Sequence, residues 1–364
     1  MKKNSVDSSM PEINNNLASS EPATVVPGSH CIYNAFITAV SIAYQIPRRY
    51  LDGSMIKGAN MQRKAFVLLS GGMDSTTCLY KAIMDYAPQK YWDIDDGTDN
   101  FKEWVNLDPS EIPVDWVEAV SINYGQRHKK ELEYAKATCD RLGIKHTILD
   151  VGKLLSGATV MLTDESVGNV AVPDIDYADI KGVSPTYVPF RNGLMLSALT
   201  AHAQKYVNEQ IAERAAMYED GLADQPGSTQ ADIEAAKQQH TADATDDAKN
   251  LCGIYFGAHS EDAANWAYPD CTPEFIGAMA NAIYIGSYMA IRLHTPIQWL
   301  MKHEIVSLGD SLGVPFETTW SCYKGGEYQC GTCPTCRSRK QAFELAGVTD
   351  PTQYSDTRGK TFSA

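Results

Sequence analysis

The chain has 364 residues, 44% of them hydrophobic, and a formal net charge of −14, a size and composition that suit a soluble globular protein with a substantial core. No apolar run approaches the roughly 18 residues of a membrane span, and the N-terminus lacks the charged, apolar and small-residue order of a signal peptide, so a cytoplasmic protein is expected. The acidity is local: Trp92–Glu118 holds nine acidic residues against one basic, Lys205–Asn250 ten against four, and the rest is balanced at 26 of each sign, which leaves no basic stripe for duplex nucleic acid.

Residues 1–63 read as an N-terminal extension. Its first 29 are rich in Asn, Ser, Glu and Pro and predict disorder, while Cys31–Tyr44 is apolar enough for a short helix. The catalytic core is expected over 64–300. Ala65–Leu69 has the bulk of a buried parallel strand, Ser70-Gly71-Gly72 breaks it, and Ser75–Tyr86 reads as a helix. Two glycines let the backbone approach an anion, and Ser70, Ser75, Thr76 and the free N–H groups of the helix start offer donors to a polyphosphate. Asp74 places a carboxylate where a magnesium ion bridging phosphates wants one. The Walker spacing and its lysine are absent.

The segment up to about Asp115 is too long and acidic for an ordinary connection and reads as an insertion, about 92–118. Strand Trp116–Ile122 leads into Asn123-Tyr124-Gly125-Gln126-Arg127-His128, helix Lys129–Leu142 stops at Gly143, and Lys145–Asp150 is a third strand. Strands alternating with helices predict a parallel sheet with its site at the carboxyl ends of the strands. Helix Gly193–Gln204 runs into a second acidic insertion, about 205–250, read as a helical hairpin or a partly disordered segment. The core resumes at strand Cys252–Ala258, which ends at His259-Ser260-Glu261-Asp262. Residues 301–364 form a C-terminal helical portion.

Three constellations carry chemistry. Cys322, Cys330, Cys333 and Cys336, the last three spaced by two residues, supply four thiolates to one tetrahedral ion; zinc is expected, an iron–sulfur cluster being the alternative with the same ligands. Four protein ligands close the site, so the ion is structural. Gln126, Arg127 and His128 follow a strand end, where Arg127 suits a carboxylate or phosphate and His128 a substrate hydrogen bond. Asp270 and Glu274, in Tyr268-Pro269-Asp270-Cys271-Thr272-Pro273-Glu274-Phe275, are carboxylates suited to the amino edge of a purine-like base, with a structural turn as the competing explanation.

The loop S-G-G-M-D-S resembles that of the N-type ATP pyrophosphatases. Together with S-I-N-Y-G-Q-R-H-K-K-E-L, T-Y-V-P-F-R-N, Y-P-D-C-T-P-E-F-I, T-P-I-Q-W-L-M-K-H-E-I-V-x-L-G and T-W-S-C-Y-K-G-G-E-Y-Q-C-G-T-C-P-T-C-R, in that order, it makes the chain similar to the 7-cyano-7-deazaguanine synthase family over roughly Lys64–Leu345. The resemblance implies an α/β fold, a Rossmann-like parallel sheet of the HUP type with a C-terminal helical zinc-binding portion. It implies that the carboxylate of 7-carboxy-7-deazaguanine attacks ATP, that ammonia converts the acyl adenylate to an amide, and that a second ATP drives dehydration to the nitrile. ATP, Mg2+ and Zn2+ are the implied cofactors, small molecules the partners, with no direct nucleic acid and no membrane, and the assembly is a homodimer.

By the same resemblance ATP is held along Leu69, Ser70, Gly71, Gly72, Met73 and Asp74, and on through Ser75, Thr76, Thr77, Cys78 and Leu79. Asp74, Ser75, Arg127 and His128 are the implied catalytic residues. The deazaguanine is expected near Gln126, Arg127 and His128, with Arg191, Asp262, Asp270 and Glu274 around it. Phe190 stands where the family often has glycine, which is expected to narrow the loop before Arg191. Three other readings use the same residues: a relative that stops at the amide or joins the base to another acceptor, a tRNA-modifying ATP pyrophosphatase, and a non-catalytic zinc-binding interaction protein.

Overall fold

The run from Lys64 folds as β1 (Lys64–Leu68), and its side chains alternate between two cores, as the two-residue period of a strand requires. Ala65, Val67 and Leu69 enter one cluster; Phe66 and Leu68 enter the other. A computed structural model describes residues 61–87, 114–125, 130–155, 182–184, 186–219, 229–324 and 326–355, all within one compact unit, Asp52–Ala364. The expectations for residues 1–60, for most of the first acidic segment and for Gln126, Arg127 and His128 lie outside the described residues.

After β1 come α1 (Met73–Tyr86), β2 (Val117–Asn123), α2 (Lys130–Leu142), β3 (Lys145–Asp150) and the short α3 (Gly152–Leu155). Then follow α4 (Arg191–Glu219), α5 (Gln230–Asp247), β4 (Cys252–Tyr255), α6 (Ser260–Ala263) and α7 (Pro273–Gly286). The chain closes with β5 (Ile291–His294), α8 (Lys302–Ser311) and α9 (Pro334–Ala346). The sheet order is β3-β2-β1-β4-β5 and every pairing is parallel. Successive connections therefore step one way from β1 to β3 and the other way from β4 to β5. The reversal falls between β1 and β4, and a parallel sheet opens a crevice there, at the carboxyl ends of its strands.

One face of the sheet carries α4 and α7, through Leu196, Leu199, Val207, Ile276 and Ile283 against Phe66, Val120 and Ile254. The other carries α1, α2, α8 and α9, through Leu79, Ile83, Cys139, Ile305 and Phe343 against Val67, Ala119 and Tyr255. Helices on both faces make the strands buried throughout, which is why β1, β2 and β4 read as apolar runs.

Several elements differ from expectation. The helix expected to end at Gln204 continues to Glu219, and Val207, Ala215 and Ala244 of the second acidic segment are buried in the main core. Over its described residues this segment is thus the helical hairpin of the two readings, stapled by Arg214–Asp247 at 3.5 Å and by a Thr229–Asp232 capping box at the start of α5. Glu118, counted with the first acidic segment, is a strand residue only 2% exposed. Its carboxylate is satisfied by His202 and Thr147, each at 2.8 Å, Lys145 at 3.1 Å and Lys64 at 3.5 Å. Strand β5 carried too little apolar pattern in four residues, Ile291-Arg292-Leu293-His294, to be anticipated.

Candidate active site

The loop after β1 is shaped by its own serines. Ser75 Oγ accepts from Ser70 N at 3.1 Å, pairs with Ser70 Oγ at 3.0 Å and donates to the Gly72 carbonyl at 3.2 Å. Gly71 has φ +82°, and a Cβ there would lie 2.2 Å from the Glu131 carbonyl oxygen and 2.9 Å from Ala135 N. Only glycine allows the first turns of α2 to lie so close against the loop. Gly72 caps α1 without a side-chain hydrogen bond, leaving the first N–H groups of a 14-residue helix directed at the crevice. From the opposite side the chain leaving β4 passes close by: a Cβ on Gly257 would sit 3.3 Å from Ser75 N.

The charged groups gather on that opposite side. Lys302 Nζ lies 3.5 Å from Asp74 Oδ2 and 3.4 Å from His259 Nε2. His259 Nε2 lies 3.8 Å from Asp74 Oδ2 and 3.3 Å from Asp262 Oδ2. Asp74 Oδ1 is buried with no hydrogen-bond partner. Burial alone would raise the Asp74 carboxyl, but Lys302 and His259 outweigh it and hold the group below the usual carboxylate range. Burial would lower Lys302, and Asp74, Asp262 and Glu261 reverse the sign and hold it above its usual value. The pair is therefore ionised at neutral pH. A carboxylate oxygen left open beside a cradle of N–H and hydroxyl donors has the chemistry to hold a hard divalent cation that arrives on phosphates.

Arg191 opens α4 on the other side of the crevice, its guanidinium 5.4 Å from the Tyr124 ring centre and its Nη1 3.5 Å from the Tyr124 hydroxyl. Arg191 Nε is buried without a hydrogen-bond partner. Asp270 is committed to the scaffold: its Oδ2 accepts from Asn192 N at 3.0 Å, and Asn192 Nδ2 donates to the Asp270 carbonyl at 3.4 Å. Burial raises the Asp270 carboxyl, against the pull of the Asn192 N–H and Arg191. This contact of Oδ2 suits the structural turn, one of the two readings of that segment. Asp262 joins His259, and Glu274 stands exposed in the first turn of α7.

The expected nucleotide residues divide in two. Ser70, Gly71, Gly72, Asp74 and Ser75 face the crevice, whereas the side chains of Met73, Cys78 and Leu79 are core residues at most 1% exposed and Leu69 is equally buried. Thr77 turns back to the Met73 carbonyl at 2.9 Å, and Thr76 Oγ1 is buried without a partner. The side chains of Leu69, Met73, Thr77, Cys78 and Leu79 thus build the wall behind the loop, which leaves their backbone as the part that could face a nucleotide. Phe190, the residue before Arg191, is largely exposed. It takes φ +57°, the left-handed region that explains a preference for glycine, but its ring is turned onto Gly193, close enough that a Cβ there would lie 2.6 Å away, and onto Phe275 at 5.9 Å.

Sequence reasoning gave no role to Lys302 or Glu131. Lys302 occupies the first position of α8, where the helix dipole disfavours a cation, and that misfit is the signal that could have found it. Glu131 sits in the first turn of α2, beside the loop and within the field of Arg191 and Tyr124. Burial pushes its carboxyl up to about 7, and Arg191 moderates the rise.

Behind the loop, the ligand atoms of Cys322, Cys330, Cys333 and Cys336 all lie within 4.8 Å of one another, and Cys330 Sγ is 3.9 Å from Cys336 Sγ. With metal–sulfur bonds of about 2.3 Å, tetrahedral thiolates lie about 3.8 Å apart. The four sulfurs therefore fit a single ion.

Residues 111–241 and 239–347 match the family model described as queuosine biosynthesis protein QueC, and residues 48–155 match the one described as asparagine synthase. The 7-cyano-7-deazaguanine synthase 1 of Mesorhizobium japonicum is 36% identical over 298 residues, covering 80% of this chain and 94% of its own. The 7-cyano-7-deazaguanine synthase of Caldicellulosiruptor bescii is 34% identical over 291 residues, covering 80% and 97%. That of Thermoplasma volcanium is 31% identical over 300 residues, covering 81% and 92%. Among solved structures, NMN synthetase from Francisella tularensis aligns over 83% of each chain at 13% identity with a TM-score of 0.32.

Proposed function

The chain belongs to the queuosine biosynthesis protein QueC family, and on that premise we propose that it converts 7-carboxy-7-deazaguanine and ammonia to 7-cyano-7-deazaguanine at the expense of ATP. The observation that carries the reading is the ionised Asp74–Lys302 pair set against the donor cradle of Ser70–Ser75, at the sheet's switch point. A carboxylate is a poor electrophile until one of its oxygens becomes part of a leaving group. Attack of that oxygen on the α-phosphorus of ATP forms the acyl adenylate and expels pyrophosphate. Ammonia then displaces AMP to give the amide, and a second activation by ATP removes the amide oxygen with AMP, leaving the nitrile.

The residues divide this work. The N–H groups at the start of α1, with Lys302 beside them, stabilise charge that builds on the departing pyrophosphate, and their positions are set before reaction begins. Asp74 Oδ1 suits a magnesium ion carried in with the nucleotide, which supplies neutralisation of the phosphate oxygens. Arg191, open at Nε, suits the acid's carboxylate or the α-phosphate. Zinc at the four cysteines is supported by the sulfur spacing: the iron–sulfide body of a four-iron cluster would hold its thiolates farther apart. A homodimer, a cytoplasmic site of action and small-molecule partners alone complete the reading. Among the described residues no helix is long and apolar enough to cross a membrane.

The test is mass spectrometry of the base formed from 7-carboxy-7-deazaguanine, ammonia and magnesium-ATP by the purified protein. Nitrile is the expected product. Amide alone would retain the adenylation and overturn the complete conversion, and absence of both with AMP unformed would overturn the acid substrate.

A further inference from the structure

The four-cysteine site and the phosphate loop are in direct contact through one residue. Trp320 N donates to the Gly71 carbonyl at 2.8 Å, and a Cβ on Gly72 would lie 3.5 Å from the Trp320 carbonyl oxygen, so the backbone of Trp320 lies along both glycines of the loop. Its indole is 2% exposed and packs with Cys322, Cys333 and Cys336. The indole N–H donates to the Cys322 carbonyl at 2.8 Å.

The segment is pinned on either side of Trp320. The buried Gln329 accepts from Ser321 N and donates to the Thr319 carbonyl, each at 3.0 Å. The fully buried Arg339, from α9, donates to Thr319 Oγ1 at 2.7 Å and to the Phe316 carbonyl at 2.9 Å. Lys130, at the start of α2, lies 4.9 Å from the indole centre and donates to the Glu327 carbonyl at 3.1 Å. Tyr134 of the same helix packs on the indole at 5.3 Å. The helix that presses on Gly71 from one side and the cysteine knuckle that holds it from the other thus meet at Trp320.

We propose that Trp320 is a positioning residue for nucleotide binding, through which the four-cysteine site fixes the Gly71 peptide and so sets the affinity for ATP. The inference rests on the loop being the ATP site. A glycine at positive φ has alternative conformations within easy reach. The carbonyl of Gly71 is held by the Trp320 N–H, and the other end of the same peptide, the Gly72 N–H, donates to Ser70 Oγ at 3.3 Å, so fixing that carbonyl fixes the turn that leads into the start of α1. A site that had only to stabilise the C-terminal portion would not require this hydrogen bond.

The test uses the full chain and its metal. Binding of a non-hydrolysable ATP analogue with magnesium is measured by calorimetry for the wild type, Trp320→Phe and Trp320→Leu, with metal content and unfolding followed on the same samples. Losing the oriented indole releases about one hydrogen bond of restraint, so Trp320→Leu should bind the analogue about tenfold more weakly. Trp320→Phe, which keeps a ring for Tyr134 and Lys130 but loses the indole N–H and its bond to the Cys322 carbonyl, should bind with an affinity between those of Trp320→Leu and the wild type, and KM for ATP should move more than kcat. A folded, metal-loaded Trp320→Leu with wild-type affinity would overturn the inference. If Trp320→Leu does not fold, amide hydrogen exchange in the wild type with and without a chelator decides. Faster exchange on metal loss at Trp320, whose N–H holds the Gly71 carbonyl, and at Gly72, whose N–H donates to Ser70 Oγ, supports the link, and unchanged protection at both overturns it. A wild-type protein that binds no ATP analogue would instead overturn the nucleotide site on which this rests.

Discussion

Lys302→Met tests the Asp74–Lys302 pair most directly. At 3.5 Å and an effective dielectric constant of about 20, the attraction is about 5 kcal/mol before desolvation is subtracted. The side chains retain 13% and 23% of their exposure, so water recovers part of the loss. The net cost of removing the lysine is then about 2 kcal/mol, below the range for fully buried pairs. The sign of the pH effect follows from the shift. The Asp74 carboxyl is depressed in the folded protein, so its contribution is present above the ordinary carboxylate value and is lost as pH falls through the depressed one. In Lys302→Met that contribution should vanish. Urea unfolding of the wild type, Lys302→Met, Asp74→Asn and the double variant at neutral pH gives the coupling. The double variant should be more stable than the sum of the single losses predicts, by at least about 1 kcal/mol. Pyrophosphate release by Lys302→Met should fall by about 10²-fold or more, the usual cost of one preorganised charge-stabilising group. Additive single losses within about 0.4 kcal/mol would show that the two groups do not form a pair in solution.

Glu131→Gln should flatten the pH dependence of stability: between the ordinary value of 4.5 and about 7 the folded chain holds a proton that the unfolded chain has released. Stability should therefore fall with rising pH across that window, by on the order of 3 kcal/mol in the wild type. Urea midpoints from pH 5 to 8 that ran parallel for the two proteins would contradict it. Gly71→Ala combines a positive φ with a Cβ 2.2 Å from a backbone oxygen, and should cost more than about 3 kcal/mol or prevent folding; a thermal midpoint near that of the wild type would refute the close packing of α2 on the loop. Cys333→Ser should lower bound metal measured by emission spectrometry and destabilise α9, whose N-cap is Cys333. Undiminished metal would reject the four-sulfur site.

Legibility in the sequence followed the range of the interaction. The strand, the glycine break and the helix start at Lys64–Tyr86 are local features, and apolar length, Ser-Gly-Gly and the helical period each point to them. The cysteine site is equally local, since three of its ligands lie within seven residues. The strand order was not local. Nothing in Cys252–Tyr255 or Ile291–His294 says that these strands lie beyond β1 and not beyond β3, yet that placement creates the crevice. Composition misled where a helix is acidic on one side and buried on the other, as in α4, where Val207 and Ala215 are core residues in a segment that reads as polar.

The pairing of Asp74 with Lys302 joins residues 228 positions apart in the chain, and no periodicity could connect them. What the sequence did contain was two local misfits, a lysine at the positive end of α8 and a phenylalanine where the backbone favours glycine, beside a glutamate that the helix dipole favours at the start of α2. The structure resolves the three differently. Lys302 offsets its unfavourable place in the dipole by pairing with Asp74 and approaching His259. Glu131 lies by the loop within the field of Arg191, so its protonation responds to the site. Phe190 is largely exposed, its ring turned against Gly193 and Phe275, and it places no side chain between Arg191 and Tyr124. A misfit therefore marks a functional residue when its compensation comes from another charged group in the crevice, and a structural one when neighbouring apolar groups suffice. By that criterion Lys302, although no motif assigned it a role, ranks with Asp74 as the first residue to remove when the chemistry is tested.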